Sequence, residues 1–498
     1  MPENNFLKDF SRIFEEKSKI DENSLLDPLG FIIGGEIKKS SDFIDVIYPY
    51  TDERFASVYS ASESDAEDAI ISSQKGFLKT KKLKSYQKRR ILEKLSDLIC
   101  EHKDLFVEIL IKEGGKVRDL SSAEVERAVE TIKISAEESV RMDGDIISLD
   151  RTIQGEDHTG LIRRFPIGTV LAITPFNYPL NLACHKIGPA IAAGNSFILK
   201  PASKTPLSAL LLGHLLIKTG YPKDAVNVIP CSSKTAENMV TDDRISYLSF
   251  TGSPAVGWHL KSVAGRKKAG LELGGNAAVI VHSDADLNYA AEKITTGALA
   301  NAGQVCISVQ RIFAHKKIYE ELLKSLKERF EKVIPGDPER SGVMLGPLIS
   351  KDALKEALSK IDEAEQNGAK ILCGKKFENN FLYPTLISDA SIELAVSQTE
   401  IFAPAATISP YNTLEEAIEK INNSPFGLQA GIFTKDIGNI RFFYEETYAG
   451  GIIVNDIPTY RVDCMPYGGV KMSGSGREGP RYAIREMTEE KLLVINNP

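Results

Sequence analysis

Hydrophobic and polar positions alternate along the chain in two distinct ways. Short apolar runs at 169–174, 196–200, 225–229 and 245–250 are separated by stretches whose apolar residues recur every three or four positions. Runs of this length predict buried strands, and the three-to-four spacing predicts helices. Because strand and helix alternate regularly here, the pattern predicts a parallel, doubly wound sheet with helices on both faces.

The same periodicities assign the remaining elements. Apolar runs predict further strands at 31–37, 45–49, 145–149, 160–165, 311–314, 371–374, 431–434 and 491–495. The helical spacing predicts helices at 7–19, 64–77, 85–102, 122–141, 182–193, 206–219, 235–241, 255–263, 318–333, 354–367 and 416–423. Ser64 is expected to cap the helix at 64–77, because acidic residues follow it in the first turn.

This order of elements predicts an α/β protein with two doubly wound domains and a β arm. The predicted parts are an N-terminal helical extension (1–30), a first α/β domain (31–144 and 167–274), a second α/β domain (275–470) and the arm (145–166 and 484–498).

Composition narrows the class of protein further. The chain has 498 residues, 42% of them hydrophobic, and 61 basic against 68 acidic residues give a net charge of −7. It has no long basic run, so no nucleic-acid partner is expected. No apolar run reaches the roughly 18–20 residues of a membrane helix, and the N-terminus lacks a signal-peptide core. Six scattered cysteines without a CxxC pair argue against disulfides or a metal site and for a cytoplasmic location.

The stretch 271–308 carries the most suggestive chemistry. Glu272 lies among leucines and glycines, and a carboxylate in such surroundings is costly unless it is paired or functional. Burial would raise its pKa and suit it to act as a general base near neutrality. Cys306, at the end of the stretch, is a candidate nucleophile; the alternative is an inert, buried thiol.

Three short motifs follow predicted strands and are candidates for ligand binding. Gly252 and Ser253 open a predicted helix whose free N–H groups can hold a phosphate, although a plain strand-to-helix turn has the same pattern. Lys200 ends a predicted parallel strand, where ligands commonly bind, or it is a solvated charge. Asn177 can donate its amide to an oxyanion beside the Cys306 backbone N–H, or it serves only an Asn-containing turn.

Two later segments are more ambiguous. Glu400 precedes a rigid apolar turn and either binds a ribose or caps a loop. The glycine-rich segments 465–469 and 473–479 look like phosphate loops but follow no predicted strand, so they are interpreted as packing loops.

Taken together in order, these motifs resemble the aldehyde dehydrogenase superfamily. The resemblance runs from about residue 31 to the C-terminus. Its motifs are PFNYP, KPASKTP, FTGSPAVG, LELGG, GQVC, EIFAPA, NSPFGL, MPYGGVKMSG and GREG. It implies that the first α/β domain binds NAD(P), that the second carries the catalytic cysteine, and that the arm joins subunits into a homodimer or homotetramer.

The resemblance implies a role for each matching residue. Cys306 attacks the aldehyde, Asn177 holds the oxyanion, and Glu272 activates the water that hydrolyses the thioester. Because relatives that transfer the acyl group to CoA generally lack this base, Glu272 implies a free carboxylic acid as product. The residues expected to bind the cofactor are Thr174, Pro175, Phe176, Lys200, Ser203, Gly252, Ser253, Gly257, Leu273, Glu400 and Phe402.

Within the superfamily, the chain looks most like archaeal lactaldehyde dehydrogenases and non-phosphorylating glyceraldehyde-3-phosphate dehydrogenases. Arg127, Tyr178 and Arg461 match or approach places that bind the substrate phosphate in the latter, which implies a phosphorylated or otherwise anionic aldehyde. Val305 departs from the arginine that many phosphate-specific members carry before the nucleophile.

The expected reaction is therefore oxidation of glyceraldehyde-3-phosphate to 3-phosphoglycerate, a glycolytic step. Lactaldehyde and succinate semialdehyde are the alternative substrates, and a non-catalytic structural relative is the alternative class of protein. NADP is expected to serve at least as well as NAD, because Ser203 stands where an acidic residue would repel the 2′-phosphate.

Overall fold

A computed structural model describes residues 28–497 of the chain. The predicted helix at 7–19 and nearly all of the predicted extension 1–30 lie outside these residues. Within them, no helix combines the length and apolar character needed to cross a bilayer.

The strands are short and extend through the whole described chain. They are β1 (Phe31–Ile33), β2 (Glu36–Lys38), β3 (Phe43–Tyr48), β4 (Glu53–Tyr59), β5 (Asp145–Ser148), β6 (His158–Pro166), β7 (Thr169–Ile173), β8 (Ser196–Lys200), β9 (Val226–Val228), β10 (Ile245–Thr251), β11 (Lys268–Glu272), β12 (Ala278–Val281), β13 (Arg311–His315), β14 (Lys370–Cys373), β15 (Phe377–Glu378), β16 (Phe381–Leu382), β17 (Thr385–Ser388), β18 (Ala405–Tyr411), β19 (Phe426–Gly427), β20 (Gln429–Phe433), β21 (Gly451–Val454), β22 (Val470–Lys471), β23 (Gly474–Ser475) and β24 (Thr488–Asn496).

Helices connect most of these strands. They are α1 (Glu63–Thr80), α2 (Ser85–Glu101), α3 (Lys103–Gly114), α4 (Arg118–Glu138), α5 (Pro179–Ala193), α6 (Leu207–Ile217), α7 (Ser233–Thr241), α8 (Pro254–Val263), α9 (Leu287–Leu299), α10 (Tyr319–Lys332), α11 (Lys351–Gln366), α12 (Ala395–Gln398), α13 (Leu414–Asn422), α14 (Ile437–Glu446) and α15 (Pro480–Glu486), with 3-10 turns at Ile153–Gly155, Lys223–Ala225 and Ala300–Gly303.

The first sheet brings the ends of its central strands to one edge. Its order is β2–β1–β9–β8–β7–β10–β11–β23, and β9 to β11 run parallel. In register, Ile173 lies beside both Lys200 and Phe250, while Thr251 lies beside Glu272. The carboxyl ends of parallel strands are where ligands bind in such sheets. This edge therefore collects the segments that sequence analysis selected.

The second sheet is also covered on both faces. Its order is β14–β17–β18–β13–β12–β20–β21, with only β14 antiparallel to its neighbour. Alternate residues of β12 belong to different buried clusters: Val279 and Val281 pack in one, Ala278 and Ile280 in the other. Because successive side chains of a strand point to opposite faces, this alternation requires helices on both sides. The prediction of two doubly wound α/β sheets is confirmed.

The segments predicted as an arm form a separate three-stranded sheet. β24 pairs with β6 along nine residue pairs from Thr488 with Pro166 to Asn496 with His158, and β5 pairs with the other edge of β6. The predicted domain bounds and the role of this sheet in oligomerisation remain predictions.

Three local expectations are wrong. The run predicted as one strand at 31–37 is a hairpin, because Gly34 and Gly35 adopt φ angles of 62° and 72° at its centre. Ser62 rather than Ser64 caps α1, in a reciprocal capping box with Asp65. The loops at 465–479 contain two short strands, and β23 pairs with β11 beside Glu272.

Candidate active site

A cavity of about 660 Å³ lies at the edge where the strands of the first sheet end. Its size is that of a small-molecule or cofactor site. All but one of the residues predicted for the site line it. They are Arg127, Thr174, Pro175, Phe176, Asn177, Tyr178, Lys200, Ser203, Gly252, Ser253, Glu272, Leu273, Cys306, Glu400, Phe402 and Arg461.

Gly257 is the exception. It is buried within α8, and a Cβ there would come within 2.3 Å of a Leu273 methyl group. Glycine at this position permits close packing of the helix on the loop after β11. The structure thus gives Gly257 a packing role, and its predicted contact with the cofactor stays a prediction.

The loop that carries Cys306 depends on two glycines. Asn301, Ala302 and Gly303 all have positive φ angles, and a Cβ on Gly303 would lie 2.0 Å from the Ala403 carbonyl oxygen. A Cβ on Gly275 would lie 2.4 Å from the carbonyl oxygen of Cys306. Only residues without a side chain fit at these approaches, so the glycines of LELGG and GQVC hold the Cys306 loop against its neighbours.

Asn177 is fixed to the same loop by its amide. Its Nδ2 donates to the Gln304 carbonyl at 2.9 Å, and Asn301 Nδ2 donates to the Asn177 carbonyl at 3.3 Å. Gln304 in turn accepts from the Ile349 backbone N–H at 2.9 Å. These bonds place the Asn177 amide beside Cys306 along the cavity wall.

Glu272 ends β11 as a buried carboxylate, 5% exposed. Among residues 28–497 its Oε2 has no hydrogen-bond partner. Burial, reinforced by the nearby Glu478 carboxylate, raises the pKa of Glu272 well above its usual range, although Arg461 and Lys186 oppose the shift. A carboxyl with a raised pKa can accept a proton readily near neutral pH.

The Cys306 thiol lies close to Tyr467, whose hydroxyl oxygen is 2.9 Å from Sγ. Burial raises the pKa of Cys306 to about 12, and the Tyr467 hydrogen bond and the Arg461 charge act in the opposite direction. None of the six cysteines forms a disulfide.

The other half of the cavity fits a dinucleotide. Lys200 is 8% exposed, and no carboxylate in the described part of the chain forms an ion pair with it. Thr174 Oγ1 is buried and, within that same part, lacks a hydrogen-bond partner. Ser253 is the N-cap of α8 and lines the cavity, as does Val256 in the first turn, so the N-terminus of that helix lies at the cavity. A buried lysine, an unused hydroxyl and a helix N-terminus are the donors that ribose and phosphate groups require.

Glu400 and Phe402 close this half of the cavity. Glu400 Oε1 accepts from the Gly275 N–H at 3.1 Å, and burial raises the pKa of Glu400 to about 7. Phe402 adopts a φ of 55° and meets Phe176 edge to face at 5.7 Å. A non-glycine residue in this conformation is strained, so the turn fixes its ring at the cavity.

Both arginines predicted for the substrate are already paired with carboxylates. Arg127, on α4, forms a bidentate ion pair with Asp463, and Arg461 Nη2 donates to Glu478 at 3.1 Å. Glu478 also accepts from Lys186 at 3.0 Å. Two buried carboxylates thus share the arginines that were predicted to bind an anionic substrate, and that binding role stays a prediction.

The ring of Tyr178 packs against a buried ion pair. Lys116 lies 3.7 Å from the centre of its ring and forms an ion pair with Glu124. Glu124 also accepts from the backbone N–H groups of Leu180 and Asn181, at 3.0 and 3.2 Å, in the first turn of α5. This carboxylate therefore anchors the turn that presents Tyr178 and Asn177.

Four side chains in or directly behind the site were not predicted from the sequence: Lys116, Asp463, Tyr467 and Glu478. Tyr467 and Glu478 lie within MPYGG and GREG, where the glycines drew attention and their neighbours did not. The aromatic residue and the acid inside those motifs were signals that could have been used. Asp463 and Lys116 stand in no motif and become part of the site only through the fold.

Comparison with known proteins identifies the family. A sequence model of the aldehyde dehydrogenase family matches residues 37–493, and the chain belongs to that family. It is an NAD(P)-dependent aldehyde oxidoreductase, and the predicted superfamily is confirmed.

Three proteins illustrate what the chain is similar to in sequence and structure. A 3-sulfolactaldehyde dehydrogenase of Priestia aryabhattai is 42% identical over 94% of this chain and 98% of its own. A lactaldehyde dehydrogenase of Methanococcus aeolicus is 36% identical over 93% and 99%. The crystal structure of a glyceraldehyde-3-phosphate dehydrogenase of Methanocaldococcus jannaschii with NADP has a TM-score of 0.88 and 34% identity, covering 92% and 99% of the two chains.

Proposed function

We propose that this chain oxidises a small anionic aldehyde to a free carboxylic acid through a covalent intermediate on Cys306. The observation that carries the proposal is that Cys306, Glu272 and Asn177 line one cavity together with residues suited to NAD(P). An aldehyde carbon cannot release hydride until a nucleophile has made it tetrahedral, and the thiol supplies that nucleophile.

In the first step the thiol loses its proton to the Glu272 carboxylate. Sγ forms a bond to the aldehyde carbon, and the carbonyl electron pair moves onto oxygen. The Cys306 N–H and the Asn177 amide, one of whose N–H bonds is held by Gln304, stabilise this oxyanion. The chemistry supplied by NAD(P)⁺ when bound is acceptance of the hydride from this carbon, which leaves a thioester on Cys306.

In the second step, after Glu272 has released its proton to solvent, water attacks the thioester carbon and Glu272 accepts one of its protons. The C–S bond breaks and the Cys306 thiolate leaves with its electron pair. The overall change consumes one aldehyde, one NAD(P)⁺ and one water, and yields one carboxylate, one NAD(P)H and two protons. Glu272 thus directs the acyl group to water.

The cofactor is held by groups of the first sheet and the Glu400 turn. Lys200 and Ser203 hold the adenosine ribose and its 2′-phosphate, and Ser253 receives the pyrophosphate at the start of α8. Glu400 binds the nicotinamide ribose. Ser203 carries no charge that would repel the 2′-phosphate, which supports use of NADP.

For the substrate we infer a three-carbon 2-hydroxyaldehyde with a singly charged terminal group. Arg127 and Arg461 face the cavity, but each already shares its charge with a buried carboxylate. A phosphate monoester carries close to two negative charges at neutral pH, and the second would be repelled by Asp463 and Glu478. A sulfonate carries one, and the 42% identical relative named for 3-sulfolactaldehyde supports this class.

A substrate panel with both cofactors tests the proposal. We expect kcat/KM for 3-sulfolactaldehyde to exceed that for glyceraldehyde-3-phosphate, lactaldehyde and succinate semialdehyde by at least about tenfold. Cys306→Ala should abolish oxidation, whereas Cys100→Ala, at an exposed thiol, should not. A preference for glyceraldehyde-3-phosphate, the substrate predicted from the sequence, would refute the inferred charge. Full activity in Cys306→Ala would refute the mechanism, and no turnover of any aldehyde would favour a non-catalytic relative.

A further inference from the structure

The Tyr467 hydroxyl lies 2.9 Å from the Cys306 sulfur, closer than any other side-chain contact described for that thiol. The tyrosine is 3% exposed, and its ring packs with Val305, Ile307 and Leu428. Its backbone is held as well, because Tyr467 and Glu478 exchange N–H···O bonds of 3.1 and 2.7 Å. The hydroxyl therefore has one fixed position beside the sulfur.

Arg461 lies behind the same ring. Its guanidinium carbon is 3.7 Å from the ring centre, a close cation–π contact, and its Nη2 is held by Glu478. A cation over the face of a phenol ring withdraws electron density from it and makes the hydroxyl a better hydrogen-bond donor. The positive charge of Arg461 can therefore act on the Cys306 sulfur through the phenol ring of Tyr467 that lies between them.

We propose that Tyr467 is a catalytic residue whose hydroxyl donates a hydrogen bond to the Cys306 thiolate, with Arg461 as the positioning residue behind it. This inference rests on the proposed role of Cys306 as the nucleophile. The bond requires no change of covalent structure: the phenol keeps its proton, and the sulfur becomes free to attack when substrate arrives.

The surroundings of the thiol explain why such a donor is needed. Burial, together with the carboxylates of Glu400 and Glu272, raises the pKa of Cys306 to about 12. Tyr178 packs in the same cluster as Cys306, but it has no positive charge that could stabilise a thiolate. Among the groups of residues 28–497 named as acting on the thiol, Tyr467 and Arg461 favour its charged form. A hydrogen bond to an ionised acceptor is about twice as strong as one between neutral groups.

The test measures alkylation of Cys306 by iodoacetamide between pH 6 and 9, followed on the Cys306 peptide by mass spectrometry. Only the thiolate reacts, so the rate reports its population. Tyr467→Phe should slow the reaction by roughly 10- to 100-fold at each pH, the effect of losing one charge-assisted hydrogen bond. Tyr444→Phe, at an exposed ring, is the matched control and should react like the wild type.

Phenylalanine is smaller by one oxygen and keeps the ring packing, so slower alkylation cannot result from blocked access. An equal or faster rate in a Tyr467→Phe protein with wild-type thermal midpoint would overturn the proposal. Arg461→Gln gives a second measurement, because it should also slow alkylation of Cys306. An unchanged rate would show that Arg461 has no part in stabilising the thiolate. Full aldehyde oxidation by Cys306→Ala would refute the proposed function separately, because alkylation does not depend on turnover.

Discussion

Asp463 accepts two hydrogen bonds from the Arg127 guanidinium, at 2.8 Å from Nη2 to Oδ1 and 3.1 Å from Nε to Oδ2. His185 and Asn181 donate to the same carboxylate from α5, at 2.8 and 3.1 Å. These donors hold the pKa of Asp463 far below its usual range. The carboxylate therefore stays charged at neutral pH and occupies one edge of the guanidinium beside the cavity.

Asp463→Asn should shift the substrate preference toward phosphate. The change removes one buried negative charge from behind Arg127, which lines the cavity, and releases Arg127 from a full ion pair. We expect the ratio of kcat/KM for glyceraldehyde-3-phosphate over 3-sulfolactaldehyde to rise about tenfold. Asp389→Asn is the matched control, because Asp389 pairs with Lys370 at the surface. An unchanged ratio would show that Asp463 does not set the charge of the substrate.

Glu272 should confer a characteristic pH dependence. It acts as a base only when deprotonated, and burial raises its pKa. Thioester hydrolysis should therefore be fast above that pKa and fall as pH decreases through it, at higher pH than for an ordinary glutamate. Glu272→Gln should lower kcat by about 10²- to 10⁴-fold and remove this pH step. A stopped-flow record of NAD(P)H and a pH series of kcat measure both; a pH profile with the same step in Glu272→Gln would contradict the assignment.

The part of the site that was predictable from the sequence follows from strand ends. Lys200 ends one predicted strand and Thr251 directly follows another, and parallel strands bring such ends to one edge. Glu272 reaches the same edge at the end of β11, whose sequence Lys-Ala-Gly-Leu-Glu is not an apolar run and was not predicted as a strand. Periodicity alone gives the runs, because a strand buried on both faces is continuously hydrophobic. Cys306 was then assigned to the same site from the family motifs, and no contact had to be predicted for that assignment.

The rest depends on long-range contacts that periodicity does not encode. Arg127 and Asp463 are 336 residues apart, and neither position signals that it pairs with the other. Tyr467 is brought beside Cys306 by long-range contacts: β23 joins the first sheet, and the backbone of Tyr467 pairs with that of Glu478. The hairpin at Gly34 was not predicted because apolar residues stand on both sides of its turn, so that 31–37 resembles one continuous strand.

Ser203→Glu should change the cofactor preference toward NAD. Ser203 lines the cavity near Lys200, so a carboxylate there would repel a 2′-phosphate and accept hydrogen bonds from a 2′-hydroxyl. We expect kcat/KM for NADP to fall at least about tenfold relative to NAD. Ser391→Glu, at an exposed position, is the control. Equal losses with both cofactors would show that the change disturbs the fold of the site rather than recognition of the phosphate.

Gly303→Ala tests whether the close approach beneath the Cys306 loop is required for activity. Alanine at this φ of 71° costs about 1–2 kcal/mol of backbone strain, and its Cβ would also meet the Ala403 carbonyl oxygen at 2.0 Å. Gly342→Ala incurs the same kind of strain at a φ of 79°, with no heavy atom within 4 Å among the neighbours described. The difference between the two variants therefore isolates the contact.

Because displacement of a reacting group by about 1 Å costs on the order of 100-fold in rate, Gly303→Ala should lose at least that in kcat/KM while Gly342→Ala keeps most activity. Steady-state kinetics with thermal midpoints for both variants decide the point, and similar activity in the two would show that the loop tolerates the added methyl group.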